Sequence, residues 1–222
     1  MLFRSHSQFP IPKTMTKIFT IGHSNHSIEK FISLLKKHEI TAVADVRSHP
    51  FSRYLPHFNK AELDAALSKV GIKYLFLGRE LGARPEDSGC YDLSGKALYE
   101  RIAATPLFSE GIQRLIENSQ TEKITLLCAE KDPITCHRTI LVCEKLRPLD
   151  LQINHILRDG KIETQEQLEK RLLAKYNKSK KQANAVQLSL FEAPPGPPEE
   201  IDLEEAYRRQ GREIAYVKKE KK

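Results

Sequence analysis

The sequence predicts an α/β fold: a mostly parallel sheet of about five strands with helices on both faces. Three observations predict it. Short apolar runs recur at 17–21 (KIFTI), 41–46 (TAVADV), 72–77 (IKYLFL), 124–127 (ITLL) and 152–156 (QINHI). Between them lie stretches whose apolar residues return every three or four positions, the helical period. Polar loops follow the strands at their carboxyl ends, where open α/β sheets hold their ligands.

The first strand ends at Gly22-His23-Ser24, and Ser27 then suits a helix N-cap. Phe31, Ile32, Leu34 and Leu35 form one face of a helix ending near His38. The second strand delivers Asp45 and Arg47 into a loop holding Pro50 and Pro56 among basic and aromatic residues. Asn59 opens a helix whose apolar positions are Leu63, Ala66, Leu67 and Val70, and Gly71 closes it. A glycine-punctuated loop, 78–85, follows the third strand, and two helices are expected near 95–103 and 106–118.

The strand at 124–127 runs into Cys128 and Glu130. Asp132 then reads as an N-cap and Pro133 as the first residue of a helix over 133–147. That places Cys136, His137 and Arg138 in its first turns, near the positive end of the helix dipole. After the last strand, composition divides the chain. Residues 1–16 read as a disordered leader, with Met15 a possible start, 17–173 as the domain and 174–222 as a flexible tail. The tail contains a basic run, the Pro-rich 193–198, and a short terminal helix marked by Leu203, Tyr207, Ile214 and Val217.

The formal net charge is +7, from 36 Lys+Arg against 29 Asp+Glu. That favours a polyanionic partner such as DNA no more than it favours a solvated lysine-rich surface. The cysteines Cys90, Cys128, Cys136 and Cys143 are too sparse for a disulfide framework. No run reads as a signal peptide or membrane helix, so a cytoplasmic protein is expected. The absence of a phosphate-binding glycine signature argues against nucleoside-triphosphate hydrolysis.

Cys136 beside His137 and Arg138 has the setting of an activated thiolate, against the alternative of an inert buried cysteine. Cys128 and Cys143 read as core. Asp45 and Glu130 suit proton transfer with His23 beside them, the alternative being structural ion pairs. Arg47, Arg84 and Arg138 suggest an anion clamp, with Ser24 and Tyr54 as further substrate contacts. Phe51, Tyr54 and Phe58 in the basic loop suit stacking against a nucleic-acid strand. A metal set from Cys128, Cys136 and His137 with His23 or His155 lacks zinc-knuckle spacing, and neither metal nor cofactor is assigned.

In the tail, Gln187-Leu188-Ser189-Leu190-Phe191 resembles the pentapeptide by which bacterial polymerases and repair proteins dock on the replicative sliding clamp. The resemblance implies Gln187 in a polar pocket and Leu188, Leu190 and Phe191 in a hydrophobic one. The core carries Thr20-Ile-Gly-His-Ser24, Asp45-Val-Arg47 with Pro50 and Ser52, Leu77-Gly78 with Leu81-Gly82 and Arg84, Leu127-Cys-Ala-Glu130 with Pro133, Cys136-His-Arg138, and His155-Ile156. These motifs, over roughly 17–173, resemble the family known as domain of unknown function 488; Ala83 departs where a second glycine is expected. The resemblance implies a compact α/β domain with these polar residues at one edge, and no activity. The expectation is a DNA-associated hydrolase or lyase of DNA repair, recruited by the clamp. The alternatives are a non-catalytic nucleotide or nucleic-acid binding module and a cysteine-dependent transferase.

Overall fold

The computed structural model describes residues 16–149, 151–188 and 201–218. In chain order the elements are β1 (Lys17–Gly22), α1 (Ile28–Lys37), β2 (Ala42–Asp45), α2 (Lys60–Ser68), β3 (Lys73–Phe76), α3 (Gly78–Leu81), α4 (Tyr99–Ala103), α5 (Pro106–Ser119) and β4 (Ile124–Cys128). A π-helical turn (Arg138–Cys143), α6 (Glu144–Leu146), β5 (Gln152–Ile156), β6 (Ile162–Thr164), α7 (Gln165–Leu188) and α8 (Leu203–Ile214) complete them. The sheet order is β3-β2-β4-β1-β5-β6, parallel but for β6, which runs antiparallel to β5. The expected α/β sheet is present, with one strand more than the apolar runs announce.

Two cores sandwich the sheet. On one face Phe31, Leu34 and Leu35 of α1 and Leu63 and Leu67 of α2 pack with Phe58. Ser27 caps α1 through its hydroxyl, and each buried leucine or phenylalanine contributes about 1.5–3 kcal/mol. On the other face lie Ile102, Phe108, Leu115, Leu141, Leu146 and Leu172. The chain therefore leaves β1 toward one face and β4 toward the other, although the two strands are neighbours. That is a topological switch point, and it opens a crevice at their carboxyl ends.

Two expectations are corrected. Asp132 and Pro133 start no continuous helix. They make a 3-10 turn (Pro133–Thr135), the chain re-extends at Cys136 (φ −130, ψ 138), and the Cys136 carbonyl accepts from the amides of Thr139 and Ile140 to start again. Asp132 is held in this bend by both guanidinium arms of Arg171 on α7. Nor are residues 201–218 a loose tail. Ile201, Ala206 and Tyr207 are buried in the core, Ala97 N–H donates to the Tyr216 carbonyl, and Lys218 N–H donates to that of Gly95. Residues 1–15 of the leader, Ser189–Phe191 of the pentapeptide and the side chains of Gln187 and Leu188 lie outside the described residues.

Candidate active site at the switch between β1 and β4

A cleft of about 690 Å³ opens at the crevice. Strand ends supply its floor: His23 and Ser24 follow β1, Arg47 and Ser48 follow β2, and Cys128–Glu130 close β4. The strands are joined there by His23 N–H to the Cys128 carbonyl and Ser24 N–H to that of Ala129, 2.9 Å each. The rim carries Phe51 and Tyr54, 70% and 94% exposed, and Arg84, whose guanidinium lies 4.4 Å above the Tyr216 ring. Ile214 and Tyr216 form the far wall, so the C-terminal segment completes the cleft.

The floor is a network of coupled charges. Cys136 Sγ lies 3.0 Å from Glu130 Oε2, and Cys128 Sγ 3.6 Å from His137 Nδ1. Burial opposes ionisation of Cys136, but a hydrogen bond from Cys128, the Arg138 charge and a hydrogen bond from His137 bring its pKa down to about 6. Cys128, equally buried, is pushed the other way by burial and by its hydrogen bond with Cys136. Desolvation works against Glu130 as well, yet hydrogen bonds from the Cys128 and Cys136 thiols hold its pKa down to about 2. Burial acts to lower the pKa of His137, but its Cys136 partner raises it. The floor thus pairs an ionised carboxylate with an imidazole whose protonated form its Cys136 neighbour favours.

His23 is neutral at pH 7. Burial and then the Arg47 charge lower its pKa to about 4, its ring stacks on Phe58, and its Nε2 accepts from Arg47 Nη1 at 3.3 Å. Of the residues singled out from sequence, His23, Ser24, Arg47, Tyr54, Arg84, Glu130 and His137 line the cleft. Cys136 sits behind them at 1% exposure. Asp45 and Arg138 are fully buried: Asp45 grips Arg47, while Arg138 Nη1 donates to the Glu130 carbonyl at 2.7 Å. The three-arginine clamp is therefore two arginines in the cleft and one beneath it. Sequence reading named Cys128 only as core or as a metal ligand, Ile214 only on a terminal helix, and Tyr216 not at all. The first had a signal, since residues two apart on an extended chain share a face and Cys128 precedes Glu130 by two.

A buried relay leads away from the floor. Arg138 Nε donates to Thr20 Oγ1, Thr20 donates to His155 Nδ1 at 2.9 Å, and His155 Nε2 donates to Gln165 Oε1 at 3.0 Å. Burial and the Arg138 charge lower the His155 pKa from 6.5 to about 3. The unfolded chain therefore binds a proton there that the folded chain does not, and stability falls as pH drops below about 6.5. Between about pH 7 and pH 5, His155→Gln is expected to remove roughly 2 kcal/mol of the pH dependence. Urea unfolding at the two pH values measures it; an unchanged difference would mean that His155 already titrates normally.

Residues 27–144 match the family described as Domain of unknown function DUF488, a little more than half of the chain. The protein belongs to the DUF488 family. The matched span holds β2, β4, Glu130 and Cys136-His137-Arg138 but stops short of His23 and His155. No curated protein and no solved structure matches the chain. No helix among the described residues is long and apolar enough to cross a membrane.

Proposed function

We propose that this DUF488 protein is a DNA-associated enzyme, a hydrolase or lyase of DNA repair, whose cleft takes a nucleic-acid strand or nucleotide. One observation carries the reading: exposed Phe51 and Tyr54 and the guanidiniums of Arg47 and Arg84 surround a floor with acid–base capacity. In this reading Arg47 and Arg84 hold phosphate and the aromatic rings stack a base. Glu130, ionised, orients a water or accepts a proton, and His137 returns one. Cys136 suits a thiol-transfer reaction by its lowered pKa, but at 1% exposure no substrate reaches it without movement of the floor. Recruitment by the replicative sliding clamp rests on Gln187-Leu188-Ser189-Leu190-Phe191 alone.

The test is fluorescence anisotropy with a single-stranded oligonucleotide. Phe51→Ala with Tyr54→Ala is expected to weaken binding by about tenfold or more, since each stacked base contributes roughly 1–3 kcal/mol. Glu130→Gln should keep affinity and lose turnover on damaged DNA. Binding without turnover in the parent protein would favour the binding module, and no binding would remove nucleic acid as substrate. Capture by the clamp, abolished in Leu190→Ala/Phe191→Ala, tests recruitment separately.

A further inference from the structure

The floor of the cleft has a property independent of what the cleft binds. Cys128 Sγ, a carboxylate oxygen of Glu130, Cys136 Sγ and a ring nitrogen of His137 all lie within 4.8 Å of one another. Cys136 Sγ and Glu130 Oε2 are 3.0 Å apart, and Cys128 Sγ and His137 Nδ1 3.6 Å. In a tetrahedral zinc site, with bonds of about 2.3 Å to sulfur and 2.0–2.1 Å to nitrogen, donor atoms stand about 3.5 Å apart. The four side chains thus already converge at close to coordination spacing.

The orientation of His137 is a second, separate observation. Its Nε2 lies 2.9 Å from the Val46 carbonyl, which only accepts, so Nε2 carries the hydrogen and Nδ1 faces Cys128. A ligating histidine is held in this way, its other nitrogen donating to a backbone carbonyl that sets tautomer and ring angle. The carbonyl is itself fixed, because Val46 N–H donates to Leu127 of β4.

We propose that Cys128, Glu130, Cys136 and His137 bind one zinc-class divalent cation at the floor of the cleft. Two thiolates and one carboxylate exceed the charge of the cation by one, and Arg138, buried and bonded to the Glu130 carbonyl, supplies the balance. Thiolate ligands select zinc over magnesium or calcium, and two cysteines are too few for an all-cysteine iron–sulfur cluster. Glu130 is the exposed member of the four and the one that water or substrate displaces, which gives the metal the open position of a catalytic rather than a closed structural site.

The full chain, purified without chelator, is expected to carry one zinc by mass spectrometry of its metal content. Cys136→Ser and His137→Gln should carry none, and Cys90→Ser, whose thiol lies outside the group, should keep it. Cobalt(II) in place of zinc should show a thiolate-to-metal charge-transfer band, lost with the metal in Cys128→Ser as in Cys136→Ser. If a variant fails to fold, the parent's stoichiometry and cobalt spectrum decide. Failure of the parent protein to retain zinc or take it up from equimolar solution, or cobalt bound without a thiolate band, overturns the proposal. Oligonucleotide binding is read in a different assay and stands or falls by itself, whereas Glu130 and His137, once ligands, would serve the metal and not transfer protons themselves.

Discussion

Asp45→Ala is expected to destabilise the protein by about 3–5 kcal/mol, the penalty for removing one partner of a buried ion pair. Asp45 is fully buried, and its two oxygens accept from Arg47 Nε at 2.8 Å, Arg47 Nη2 at 2.5 Å, the Arg47 amide at 3.1 Å and the Tyr74 hydroxyl at 2.8 Å. The Arg47 guanidinium is scarcely exposed, so alanine leaves its charge without a counter-ion and without water. Burial also raises the Tyr74 pKa, with the Asp45 charge adding to it, so the phenol stays a donor at any ordinary pH. These bonds occupy the carboxylate, which makes Asp45 a residue that positions Arg47. Urea unfolding should show a lower midpoint with an unchanged slope. Asp45→Asn, which keeps an acceptor, should lose less and leave the pH profile of any activity in place. A loss below about 1 kcal/mol in Asp45→Ala would mean that Arg47 is solvated and that the pair is not the anchor of the cleft wall.

The strands announce themselves in the sequence because a parallel strand buried on both faces must be apolar throughout, as in Ile124–Cys128. Their polar exits were legible for the same reason: His23, Arg47 and Glu130 stand where apolar runs stop. β6 was not, since Ile162–Thr164 spans three residues with no apolar alternation and pairs only because β5 offers an edge. Helix α8 was legible from Leu203, Tyr207 and Ile214, but its docking onto the domain was not. Its buried face is narrow, Ala206, Tyr207 and Gly211, and Gly211 lets the Tyr99 ring approach until a Cβ there would stand 3.2 Å away. A proline-rich stretch before such a helix reads as tail because docking depends on a partner surface far away in sequence.

The bend at Cys136 shows a second limit. Asp-Pro is a sound local signal for a helix start, and the 3-10 turn at Pro133 obeys it. What ends that turn is tertiary: Arg171 on α7 holds Asp132, and Cys136 extends so that its sulfur meets Glu130. Arg138 then begins a π-helical turn beneath the sheet, where its side chain reaches Thr20 instead of the cleft. Spacing along the chain placed these residues near one another. Which of them faces the cleft depends on where the helix restarts, and no periodicity reports that.

Gly22→Ala tests how closely β1 and β4 must approach for the site to exist. A Cβ on Gly22 would stand 1.9 Å from the Glu130 carbonyl oxygen and 2.8 Å from its carbon, both backbone atoms that cannot rotate away. The same oxygen accepts the 2.7 Å hydrogen bond from Arg138. Alanine must therefore push Glu130 outward, and doing so unpairs a buried guanidinium whose Nη2 already lacks a partner among the described residues. Overpacking typically costs about 1–3 kcal/mol and loss of a charged hydrogen bond about 1.5–3 more, so at least about 2.5 kcal/mol is expected. Denaturant unfolding of Gly22→Ala beside Gly71→Ala separates this cause from general glycine effects. Gly71 has φ +73 with open space around it, so its alanine should lose only about 1 kcal/mol through backbone strain. Equal losses in the two variants would refute the close approach. With it would go the reason that the glycine just before His23 is tied to Glu130, which is far away in the chain but one carbonyl away in space.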